Sequence, residues 1–126
     1  MQRGIQEAKT TLETKDKSES ITTAKFSLNG WGTTPSFTVT GKDQCYVITI
    51  TVTAGSFAGP TFTHTFADGA FPNASVWVAQ LVGGTGVTSA QLLNTSSTTT
   101  TATWTWQGTP GGVGTTYVFN VVGLGY

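Results

Sequence analysis

The sequence predicts an all-β domain, an antiparallel β-sandwich that is jelly-roll-like or barrel-like, behind a short N-terminal leader that is helical or flexible. Three observations predict it. From Phe26 onward apolar residues recur with a period of two, the repeat of a strand whose successive side chains point to opposite faces. Turn residues interrupt these runs at short intervals, the spacing of an antiparallel sandwich or barrel. Polarity comes from threonine, serine, asparagine and glycine in place of charge. Threonine is β-branched, so it favours strands and still tolerates water.

The leader, residues 1–25, reads differently. Ile5, Ala8 and Leu12 lie three and four residues apart, as on one face of a helix. Lys15 and Glu19 occupy the next positions of that seam, so the stripe ends after about two turns, too short for a stable isolated helix. Two readings stand: a flexible leader, or the end of a short coiled-coil stalk, since Ile5 and Leu12 are one heptad apart.

The body, residues 26–126, is a succession of strands. Phe37–Thr40, Ile48–Thr53, Thr61–Phe66 and Thr101–Trp106 alternate apolar and polar residues. Val76–Val82 and Tyr117–Val122 are apolar on both faces, which predicts central strands. Ala54-Gly55-Ser56, Ala58-Gly59-Pro60, Asp68-Gly69, Phe71-Pro72-Asn73, Gly83-Gly84-Thr85-Gly86 and the glycine-rich stretch from Gly108 mark the turns. In the Thr95–Thr103 run the second half continues into the Trp104, Trp106 alternation and reads as strand; the first half reads as loop.

Charge is confined almost entirely to the leader. Of six Lys or Arg and six Asp or Glu, nine lie in residues 1–25, and the body holds only Lys42, Asp43 and Asp68. With a formal net charge of +0, no field draws the chain to nucleic acid or to an anionic membrane. No run approaches the ~18 apolar residues of a membrane-spanning helix, and the first residues do not read as a signal peptide. One cysteine, Cys45, makes no internal disulfide and lacks metal-site or redox spacing.

Chemistry-bearing residues are correspondingly few. Asp43 and Asp68 sit in turn contexts, where a carboxylate commonly bonds the local backbone, so they are not read as a catalytic pair. His64 shares a strand face with Phe62 and Phe66, which predicts a packed, hydrogen-bonded interior histidine. A second reading places one His64 per chain around a metal ion on a trimer axis. No catalytic residue and no cofactor are assigned. The aromatics remain as binding candidates. Trp31, in what reads as a turn, Asn29-Gly30-Trp31-Gly32, is the expected surface aromatic, with Tyr126 at the chain end beside it. Trp104 and Trp106 are expected in the core or in a subunit interface.

The run Gly30-Trp31-Gly32-Thr33-Thr34-Pro35-Ser36-Phe37, continuing through Val39-Thr40-Gly41-Lys42-Asp43 to Ile48-Thr49-Ile50-Thr51-Val52-Thr53-Ala54-Gly55-Ser56, resembles the C-terminal domains of bacteriophage tail fibres and related receptor-binding or virion-surface proteins. Phe66 to Phe71-Pro72, Ser75-Val76-Trp77-Val78 and the closing Thr115–Gly123 stretch continue the resemblance in order. It departs at Gln44-Cys45-Tyr46, where many such domains have glycine. It implies a homotrimer entered by a stalk from the N-terminal side. It also implies a virion location, and the scarcity of chemistry-bearing residues points to a non-catalytic role. Three functions follow as expectations: attachment to a bacterial surface glycan or protein, a structural or decoration part that meets only other virion proteins, or a free-standing carbohydrate-binding module.

Overall fold

A computed structural model describes residues 20–54, 57–67, 69–85, 91–107 and 112–124. A single 3-10 turn, Thr23–Lys25, precedes eight strands: β1 Phe26–Trp31, β2 Ser36–Lys42, β3 Cys45–Thr51, β4 Phe57–Thr65, β5 Val76–Thr85, β6 Gln91–Ser97, β7 Thr101–Gln107 and β8 Thr116–Leu124. They form two four-stranded antiparallel sheets, one ordered β1-β4-β7-β6 and the other β2-β3-β8-β5. The architecture is therefore a sandwich of two open sheets. The expected leader helix and Tyr126 lie outside the described residues.

The predicted alternation sets which face of each strand is buried. Tyr46, Ile48 and Ile50 of β3 point inward, as do Ala102, Trp104 and Trp106 of β7 and Tyr117, Phe119 and Val121 of β8. Threonines take the outward positions and pair across strands: the Thr63 and Thr103 hydroxyls meet at 3.0 Å and those of Thr51 and Thr116 at 3.4 Å, contacts that each stabilise a sheet by a few tenths of a kcal/mol up to about 1.

Three local expectations are corrected. Val76–Val82 is not central: β5 is an edge strand, bonded only to β8, and its outward valines face solvent. An apolar run on both faces reports what touches each face and not the position of the strand in its sheet. The run from Thr95 is strand from its beginning, because β6 extends to Ser97 and turns into β7 through residues 98–100. Ile21, inside the segment read as leader, is buried, and its N–H donates to Gly41 O at 3.0 Å.

The core between the sheets is aromatic. At one end Trp31, Trp106, Tyr117 and Phe119 pack edge to face, with ring centroids 4.6–6.5 Å apart. At the other, Phe26, Tyr46, His64, Phe66 and Trp77 form a second cluster, and the Phe62–Trp104 stack lies alongside. Each such pair adds about 0.5–1.5 kcal/mol beyond its buried area.

Trp31, expected at the surface, is wholly buried. The reason is a bulge. The β1–β4 register shifts between Asn29 and Trp31, and Gly30 sits there at φ 76°. Glycine adopts this left-handed region without steric penalty. From Asn29 to Trp31 β1 advances two residues while β4 advances four, from Thr61 to Phe57, so the extra residues lie on β4. At Gly30 the alternation of β1 breaks, and Trp31 faces inward, where its indole N–H donates to Thr61 O at 2.8 Å.

Trp77 is held differently. Its ring lies directly over Gly123 of β8, its register partner, and a methyl group at that position would overlap the ring. Gly123→Ala is expected to expel Trp77 from its seat, lowering stability by about 1–3 kcal/mol and red-shifting tryptophan emission. Urea denaturation followed by fluorescence checks this; an unchanged midpoint and spectrum contradict it.

Candidate functional site

Asp43 and His64 come together inside the sandwich. Asp43 sits in the turn between β2 and β3, and His64 sits on β4 of the opposite sheet. His64 Nε2 lies 3.0 Å from Asp43 Oδ1, and the same oxygen accepts the Ala67 N–H at 2.8 Å. An ionised carboxylate only accepts hydrogen bonds, so Nε2 carries the proton. Both residues are buried, His64 at 0% and Asp43 at 3% exposure. The carboxylate ties the two sheets together. The imidazole lies flat on Phe26, with centroids 4.7 Å apart and planes 4° from parallel, and meets Tyr46 and Phe66 edge-on.

The interior reading of His64 holds. The trimer-axis metal reading does not, because the imidazole is enclosed within one chain and bonded to Asp43. Among the described residues no three His, Cys, Asp or Glu side chains gather to hold a metal ion. The pair has half the form of a Ser–His–Asp site, but Nδ1 is buried without a hydrogen-bond partner among the described residues. No substrate reaches it, and the arrangement acts as a structural tie.

Tyr46 borders this pair. Burial pushes its phenol far above the ordinary range. The Trp104 indole beside it partly offsets that effect, although the two groups do not meet in hydrogen-bonding geometry, and the Asp43 charge adds to it. The hydroxyl is therefore a neutral interior group.

The surface offers a groove. β5 and β6 are the edge strands on the same side of the sandwich, each bonded to a sheet neighbour on one side only. Between them runs an open groove of about 550 Å³ floored by Trp77, Leu92 and Trp104 and walled by Gln80, Leu93 and Asn94. It continues past Trp77, Leu93 and Asn94 into a second stretch of about 560 Å³ along Thr95, Ser96 and Ser97. No charged residue lines either stretch.

Asn94 is locked: its Nδ2 donates to Ser96 O at 3.1 Å and Thr103 O at 3.0 Å, and its Oδ1 accepts from Ser97 Oγ at 2.7 Å. These bonds span the register shift between Asn94 and Ser96 and hold the β6 bulge in shape. Gln80, Leu93, Thr95 and Ser96 are exposed. The groove thus presents neutral amide and hydroxyl groups over an aromatic and aliphatic floor. Its lining includes no Asp, Glu, His, Lys, Arg, Cys or Tyr.

Of the residues singled out from sequence, Trp31 is in the core and Tyr126 lies outside the described residues. The groove went unread because its walls belong to strands far apart in sequence, and the end of one of them, β6 from Thr95, read as loop. No family model, curated protein or solved structure matches the chain.

Asp43→Ala orphans the His64 Nε2–H and the Ala67 N–H inside the core, at roughly 1–3 kcal/mol for each. Adding His64→Phe removes one orphan. The double variant is therefore expected to be less destabilised than the sum of the two single variants, by at least about 1 kcal/mol. Chemical denaturation of all four proteins tests this, and strict additivity contradicts the pairing.

Proposed function

We propose that this chain is a non-catalytic attachment domain of the bacteriophage tail-fibre kind, which binds an uncharged bacterial surface glycan in the groove between β5 and β6. The observation that carries the reading is the groove itself, an elongated channel without charge, walled by Gln80 and Asn94 and floored by Trp77. Glycan recognition uses this combination of amide groups, hydroxyl groups and apolar faces. The near absence of charge in the body leaves selectivity to shape and hydrogen bonding. The turn and strand pattern from Gly30 to Gly123 supports the tail-fibre setting, with the domain at the virion surface as a homotrimer.

A second reading is a structural or decoration part of the virion that meets only other virion proteins. The exposed valines on the outer face of β5 favour it.

Retention on a panel of purified bacterial surface polysaccharides, read by affinity electrophoresis, tests the first reading. Gln80→Arg and Leu93→Arg place a long charged chain in the groove at exposed positions, so the fold is kept. Each is expected to weaken retention at least tenfold, the ~1.4 kcal/mol of one well-placed contact. Unchanged retention in both variants rejects the groove. Absence of binding to any polysaccharide, with specific labelling of virion particles, selects the second reading.

A further inference from the structure

We propose that the outer face of the β2-β3-β8-β5 sheet packs against a second copy of this chain. It goes beyond the preceding proposal, because a face set against its own copy pairs two chains; Val76 and Val78 belong both to this face and to the rim of the groove.

The two outer faces of the sandwich are built differently. On the β1-β4-β7-β6 sheet, the face turned from the core carries Thr61, Thr63 and Thr65 of β4 and Thr101, Thr103 and Thr105 of β7. That is the polar outside expected of a half-solvated antiparallel sheet. On the other sheet the equivalent positions of β5 and β8 are aliphatic. Val78 is 68% exposed, Val76 59%, Val122 56% and Leu124 52%. Register makes them one patch: Val76 lies opposite Leu124, and Val78 opposite Val122. Val47 of β3 and Val82 of β5 extend it. The exposed aliphatic area is on the order of 400 Å², within the range of the largest patches on soluble monomers, which are often functional.

Three observations point to a copy of this chain as the occupant. The strands β3, β5 and β8 carry no charged residue, and the one charge of this sheet, Lys42 of β2, lies opposite Cys45 at the end of its strand, so two copies of the aliphatic patch meet without like-charge repulsion. A dissimilar partner selected by charge finds nothing there to read. The patch supplies roughly half of the ~800 Å² that each partner gives to a standard interface, and the threonines of β2 and β3 around it supply a polar rim, as in homodimers. Edge-to-edge strand addition at β5 is obstructed by its register shift between Leu81 and Gly83. The flat face is left as the route of contact, stacked as sheets stack, about 10 Å apart.

Cys45 reports on this surface directly. It is exposed, unpaired with another cysteine, and opposite Val122 in register. Sedimentation velocity across about 5–500 µM, together with the rate of Cys45 labelling by a maleimide, tests the proposal. The chain is expected to sediment above the mass of one chain at high concentration, with Cys45 labelling slowed at least threefold. Val78→Lys with Val122→Lys is expected to give single chains and fast labelling. Val78→Thr with Val122→Thr, which restores the composition of the other sheet, is expected to do the same and serves if the lysine variant does not fold. Leu93→Arg, which touches the groove but not the patch, is expected to leave association intact, and Val122→Lys alone, which lies outside the groove lining, is expected to weaken it, so the two surfaces fail separately. Single chains at every concentration overturn the proposal, as does association or Cys45 protection that persists in a folded Val78, Val122 variant.

Discussion

The body of this protein separates its inside from its outside almost without charge, and the rest of the structure follows from how it does so. Most folded domains hold their surface in water with lysine, glutamate, arginine and aspartate. Here the separation rests on β-strand alternation, with aromatic and branched aliphatic side chains inward and mostly threonine outward. The arrangement demands continuous strands, because one residue of slip turns every side chain to the wrong face. It also fills the interior with large rings: four tryptophans, Trp31, Trp77, Trp104 and Trp106, are all buried. Where the register shifts, between β1 and β4 at Asn29 to Trp31, at Asn94 to Ser96 and at Leu81 to Gly83, an edge strand is one of the pair and the effect is local: Trp31 turns inward, a groove wall is shaped or an edge is blunted.

Within this uncharged frame the Asp43–His64 pair is the exception, and its position explains it. Apolar packing between two sheets is non-directional and holds their separation better than their alignment. A hydrogen bond from β4 to the β2–β3 turn fixes one point of the opposing sheets. The Ala67 N–H on the same carboxylate oxygen fixes the chain leaving β4 as well. Buried polar ties of this kind add geometric definition more than net stability.

Much of the fold was legible in the sequence, because period-two alternation is a direct imprint of a two-faced sheet. Ile48-Thr49-Ile50-Thr51 and Thr101-Ala102-Thr103-Trp104 identify strand and inward face together. β1 was missed because Gly30 breaks its alternation, and β6 because Asn94-Thr95-Ser96-Ser97 has the composition of a loop; its hydroxyl and amide groups bond within the strand pair instead. Sheet order was not legible. Apolar residues on both faces of β5 looked like a central strand, but they record an inner face on the core and an outer face open to solvent. The interior place of His64 followed from its neighbours Phe62 and Phe66, whereas its partner Asp43, distant in sequence, did not. The groove depends on β5 and β6 lying side by side across two sheets, and no local pattern encodes that.

Ligand binding is proposed on the β5–β6 side of the sandwich. Hydrogen–deuterium exchange of the domain, alone and with a bacterial surface polysaccharide that it retains, tests the placement. Slowed exchange is expected to concentrate in residues 76–85 and 91–97, with β1 and β2 on the far side unchanged. Protection confined to β1 and β2, with no change along β5 and β6, would contradict it.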